Sequence, residues 1–96
     1  MITRVGELVF PSKIQLEMWS SFAEQVYIPK CIKHGCLIME VYRLSENSAL
    51  ICGKYPDQKT YEEVKKLTED ELKEWKKIIK VKIFEGVRMF GQEKEK

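Results

Sequence analysis

A single histidine in 96 residues leaves little material for imidazole relays or for metal sites built from several imidazoles. The three cysteines, Cys31, Cys36 and Cys52, are an odd number. The opening segment, Met1 to Glu7, has no apolar run behind Arg4 that would mark a secretory leader or lipid anchor. A disulfide framework is therefore not expected, and reduced thiols in a cytoplasmic protein are. No uncharged apolar stretch approaches the length of a bilayer span, so a membrane is not an expected partner. An excess of one charge is also missing. Seventeen basic residues face fifteen acidic ones for a net charge of +2, and the lysines of the second half alternate with glutamates. Nucleic acid is not an expected partner on that pattern.

What is present is enough apolar material, 44% against 33% charged, for one globular core, and at this length one core is the expectation. We assign residues 1–91 to a single domain and residues 92–96 to a charged tail too polar to fold alone.

The β-rich run Ile2 to Phe10 predicts a first strand ended by Pro11. Ser12-Lys-Ile-Gln15 reads as a capping box that starts a helix. Ile14, Met18, Phe22 and Val26, with Trp19 and Ala23 beside them, mark its expected buried stripe, and Pro29 should end or kink it near Tyr27 or Ile28. Gly35 closes the unit. Cys36 to Leu44 is apolar in both alternating sets and predicts a strand covered on both faces. A turn at residues 45–48 and a strand from Ala49 to Lys54 complete a hairpin. Asp57 should cap a second helix whose stripe begins with Tyr61, Val64 and Leu67, with a break and restart at the capping box Thr68-Glu-Asp-Glu71. Leu72, Trp75, Ile78 and Ile79 continue its apolar face, and Val81 to Phe90 predicts a last strand.

The resulting β-α-β-β-α-β order predicts an α+β fold of the ferredoxin-like type, a four-stranded antiparallel sheet with both helices on one face. The other face then needs cover. Burial against a second copy is the economical solution, so an isologous homodimer is expected.

Gly35-Cys36-Leu37, Glu40-Val41-Tyr42-Arg43, Tyr55-Pro56-Asp57 and Tyr61-Glu62 make the chain resemble the dimeric α+β barrel superfamily, and within it the antibiotic-biosynthesis monooxygenase-like domains. The resemblance implies a sheet-face dimer forming an α+β barrel. It also implies a range of activities, from cofactor-free oxygenases of aromatic polyketides to haem-degrading enzymes and small-molecule isomerases. Haem-degrading relatives place a histidine ligand on the second helix, and residues 57–79 contain none. The polyketide oxygenases use asparagine, tryptophan and arginine. Trp75 and Arg88 match two of these, while the first strand offers Glu7 in place of the asparagine.

Among the residues themselves, Glu40 and Tyr42 share one face of a strand, and a glutamate in an apolar run must be solvated, paired or functional. We take them as the candidate catalytic pair, a desolvated base and its hydrogen-bonding partner. The structural alternative pairs Glu40 with Arg4, Lys54 or Arg88 across a strand or subunit boundary. Trp19, Trp75 and Arg88 are the candidate ligand-binding residues, with core packing as the alternative for the tryptophans. Cys31, His34 and Cys36 have a superficially metal-like spacing but no fourth ligand nearby, so no metal and no cofactor are expected.

Two functions follow. One is a small-molecule protein with a pocket for an apolar or aromatic ligand and cofactor-independent oxygenase or isomerase chemistry. The other is a non-catalytic homodimeric binding or assembly module. A ligand-sensing regulator ranks behind both, because these residues hold no DNA-binding domain.

Overall fold

Apart from Arg4, every second residue of the first strand from Ile2 is apolar or small, and that alternation sets the layers. In the computed structural model, which describes residues 1–94, strand β1 (Ile2–Val9) buries Ile2, Gly6 and Leu8 on one face and leads into buried Phe10. It lies in the middle of the sheet, antiparallel to β3 (Ser48–Tyr55) on one side and to β4 (Lys80–Val87) on the other. Strand β2 (Ile38–Ser45) pairs with the outer side of β3, giving the order β2-β3-β1-β4. This is the expected α+β, ferredoxin-like architecture. The last strand ends at Val87, short of the expected Phe90, and residues 91–94 carry no regular structure. Of the assigned tail, Glu95 and Lys96 lie outside the described residues.

The helical layer begins with α1 (Lys13–Phe22), where Ser12 Oγ accepts the Gln15 amide at 3.3 Å. The reciprocal half of the capping box does not form, since Gln15 Oε1 is buried without a partner. The buried stripe also differs from the expected one. Leu16, Trp19, Ala23 and Tyr27 face the sheet, while Ile14 is 69% and Met18 59% exposed and Val26 also faces solvent. Both sets repeat at three and four residues, so periodicity does not choose between them. Phe10 at the end of β1 does, because its ring meets Trp19 at 5.5 Å and turns that side of the helix inward. Met18 then points about 100° away.

The helix absorbs Pro29 instead of ending at it. Proline has no N–H to return to the carbonyl four residues earlier, and the preceding turn, Ala23–Tyr27, widens to a π-helix in which the Ile28 N–H reaches Ala23 O. Helix α2 (Ile28–Lys33) then runs on to Gly35, whose φ of 116° is in the left-handed region. A Cβ there would also come within 2.6 Å of Thr60 Cγ2, so the turn specifically needs glycine.

Asp57 caps helix α3 (Gln58–Lys76), its Oδ1 accepting the Thr60 N–H at 2.8 Å. The helix is continuous, contrary to the expected restart at Thr68. The Thr68 hydroxyl donates to Val64 O at 2.9 Å and therefore does not cap. Thr68 also occupies the inward position expected of Leu67, which is 45% exposed. A half-buried Lys30–Glu71 ion pair of 2.6 Å ties α2 to α3. Among the described residues no helix is long and apolar enough to cross a membrane.

Both helical layers lie on one face of the sheet. The opposite face carries Val5, Leu50, Cys52 and the 62% exposed Phe84 alongside Glu7, Lys54 and Lys82. Strand β2 is an edge strand exposed along nearly its whole length, so neither of its faces is fully covered within the chain. On the helix side Met39 packs against the core and Val41 lines a cleft with Ala23 and Ile28, while the other face, expected to be covered by a second sheet, is open within the single chain.

Candidate functional site

The alternation that buries Ile2, Gly6 and Leu8 also carries Arg4 to the helix side. There it lies opposite Gly53 in β3 and Glu85 in β4. Gly6 presents no side chain and lines the space above the sheet beside Arg4, whereas Met39 and Tyr55 fill the space over Gly53. A Cβ on Gly6 would approach Ile51 Cγ2 to 3.0 Å, so close packing of the strand and the open floor depend on the same glycine. Two adjoining cavities result, of about 170 and 50 Å³, which share Arg4, Tyr27, Leu72, Lys76 and Ile83. The larger is also walled by Tyr55, Tyr61 and Glu85, and the smaller by Trp19 and Trp75.

The charges in this cleft are unusual. Arg4 Nε is buried and has no hydrogen-bond partner. Although Glu85 is its cross-strand neighbour on the same face, the two form no salt bridge. Glu85 Oε1 instead accepts the Tyr61 hydroxyl. Tyr61 packs edge-on against Tyr55, with ring centroids 5.1 Å apart.

Burial, reinforced by the bond to Glu85, pushes the Tyr61 hydroxyl up to about 12, with Arg4 pulling the other way. Burial raises Tyr27 and Tyr55 still further, and it lifts the Cys31 thiol to about 11. At neutral pH these groups keep their protons. They serve as neutral walls and donors, and Cys31 is no thiolate nucleophile.

Glu40 and Tyr42 lie elsewhere. Register with Cys52 and Leu50 puts both on the sheet face opposite the helices, where the Tyr42 hydroxyl donates to Glu40 Oε2 at 3.0 Å. That bond raises the Tyr42 pKa. An ion pair of Glu40 with Arg4 within the chain is precluded, because Arg4 points to the other side of the sheet. Lys54 shares the face of Glu40. Trp19 and Trp75 both reach the smaller cavity while packing on Phe10 and Phe22 respectively. Arg88 lies beyond β4, its N–H donating to Met1 O, and lines neither cavity of the cleft. Cys31 and Cys36 are buried and His34 is exposed. Among the described residues no group of three potential metal ligands is gathered.

The structure thus brings Trp19 and Trp75 together and separates them from Glu40, Tyr42 and Arg88. The residues that reading the sequence missed are Arg4, Glu85, Tyr55 and Tyr61. Their signal was one charge inside each of two otherwise apolar or small alternating sets, Ile2-Arg4-Gly6-Leu8 and Val81-Ile83-Glu85-Val87.

The sequence matches no family model and no curated protein. Solved structures do match. HapK from Hahella chejuensis superposes with a TM-score of 0.82 over 100% of both chains at 11% identity. A dimeric ferredoxin-like protein from an uncultured marine organism gives 0.81 over 95% of this chain and 97% of its own at 13% identity. SnoaB from Streptomyces nogalater, a cofactor-independent oxygenase, gives 0.74 over 94% of each chain at 11% identity. At these identities the likeness is one of fold alone: the chain shares the ferredoxin-like α+β architecture of these structures.

Proposed function

We propose that this chain binds a small planar molecule in the cleft between helices and sheet, with an anionic or strongly polarised oxygen of the ligand on Arg4. The observation that carries this reading is the buried, unpartnered Nε of Arg4 in an aromatic-lined space. A buried N–H is costly unless an acceptor meets it, and the nearest carboxylate in register is engaged with Tyr61. A ligand oxygen supplies the missing acceptor. Trp19 and Trp75 give its apolar body a surface with little conformational entropy to lose. The fold shared with a cofactor-independent oxygenase supports oxygenase or isomerase chemistry without a cofactor.

In this reading the protein works in the cytoplasm as a homodimer, closed through the sheet face that carries Val5, Leu50 and Phe84. Glu40 and Tyr42 then belong to the subunit interface. Their place on the open sheet face, away from the cleft, is what supports an assembly role for them.

Titration calorimetry with phenylpyruvate, an aromatic keto acid, tests the ligand reading. Wild-type protein should bind it, and Arg4→Met should weaken binding at least about tenfold, as expected for loss of a charge-assisted hydrogen bond. Equal affinity in the two proteins would remove Arg4 from the site and the reading with it.

A further inference from the structure

The mutual placement of Arg4, Glu85 and Tyr61 has a chemical use beyond binding. We infer that Glu85 is the proton acceptor for the ligand held on Arg4, which makes the cleft a site for cofactor-free tautomerisation of carbonyl compounds with an acidic neighbouring C–H. This inference rests on the ligand reading above and adds a reaction to it.

Arg4 and Glu85 face each other across adjacent antiparallel strands on the helix side of the sheet. Side chains so related start about 5 Å apart, yet these two do not close on each other. Two opposite charges held apart at one cavity wall match a carbonyl compound in its reactive form. The carbonyl oxygen sits on the cation, and the carbon next to the carbonyl, two bonds from that oxygen, turns toward the carboxylate. Tyr61 fixes the carboxylate by donating to Oε1. Among the described residues Oε2 accepts no hydrogen bond and is free to take a proton. The other polar side chains at this wall, the phenols of Tyr27 and Tyr55 and the ammonium groups of Lys65 and Lys76, offer no carboxylate in its place.

The step balances without an oxidant or a cofactor. The C–H bond next to the carbonyl breaks, its proton passes to Glu85 Oε2, and its electron pair becomes the C=C bond while the carbonyl pair moves onto the oxygen facing Arg4. Glu85 then returns the proton to that oxygen. The keto form has become the enol, and the carboxylate is regenerated. Arg4 contributes where charge develops, which is the interaction that lowers the barrier and not only the binding energy.

The test follows the benzylic protons of phenylpyruvate by NMR in D2O, since their exchange reports proton abstraction whatever the net turnover. Wild-type protein should accelerate the exchange over buffer. Glu85→Gln, which keeps an acceptor for Tyr61, should bind phenylpyruvate within about twofold of wild type by calorimetry. It should lose at least about a hundredfold of the acceleration, the scale of general-base catalysis. Bound phenylpyruvate that wild type does not exchange, or exchange undiminished in Glu85→Gln, overturns this proposal and leaves the ligand reading standing. No binding by wild type overturns both.

Discussion

Arg4 and Glu85 stand opposite each other on neighbouring strands, on the same face of the sheet, and remain unpaired: Glu85 accepts the Tyr61 hydroxyl while Arg4 Nε stays buried without a partner. Glu85 is exposed on β4, so leaving this pair open costs little, whereas the buried Arg4 Nε lacks the acceptor a buried donor needs.

It follows that Arg4→Met should leave the ligand-free protein as stable as wild type or more so, by up to about 1–3 kcal/mol, the cost of an unsatisfied buried polar group. Urea denaturation without ligand checks this. A clear loss of stability would mean that Arg4 holds the fold together, and the argument from its missing partner would lapse.

The two apolar stripes of α1 separate cleanly by mutation. Leu16→Ala should cost about 2–5 kcal/mol, as a buried leucine does, while Ile14→Lys and Met18→Lys should change stability by no more than about 0.5 kcal/mol. Thermal melts of the three variants decide it. A destabilising Ile14→Lys would indicate that this stripe, too, is buried in the working assembly.

Stability should fall at alkaline pH. Burial raises Cys31 from 9.0 to about 11 and Tyr61 from 10.0 to about 12. A folded pKa above the unfolded one favours the protonated native form, so the stabilisation is complete below pH 9 and is lost as pH rises through 11 and 12. Denaturation midpoints measured from pH 8 upward should decline across this window, and Tyr61→Phe should decline less steeply. A flat profile would contradict the burial of both groups.

The proposed dimer has its own test at Phe84, which projects from the open sheet face in register with Val5. Phe84→Glu should convert the dimer to monomer in light-scattering chromatography while the cleft still binds phenylpyruvate. A wild-type monomer at the same concentration would sink the dimer outright.

The architecture was legible in the sequence because strand alternation, Pro11, Gly35 and the Asp57 cap each act locally. Helix rotation was not. The Ile14-Met18-Val26 and Leu16-Trp19-Ala23-Tyr27 stripes have equivalent spacing, and only the long-range contact of Trp19 with Phe10 selects one. Thr68 looked like a cap because its local capping box is genuine, and its burial in α3 overrode that preference. The site failed to appear for a related reason. Arg4 and Glu85 are 81 positions apart in the chain, and each alone reads as an ordinary strand charge. Their relation exists only once β1 and β4 pair in register. Glu40 and Tyr42 attracted notice because they are neighbours in sequence, and the structure does unite them, on the face away from the cleft.

The most direct measurement is a proton–nitrogen correlation spectrum of the arginine Nε–H groups, of which the chain has three, at Arg4, Arg43 and Arg88. Arg43 Nε already donates to Ser45 O, and Arg88 lies beyond β4, so each is a built-in control. On adding phenylpyruvate, the Arg4 signal should move downfield and exchange more slowly with water while the other two hold still. Movement at Arg88 or Arg43 with Arg4 unchanged would place the ligand outside the cleft and contradict the account.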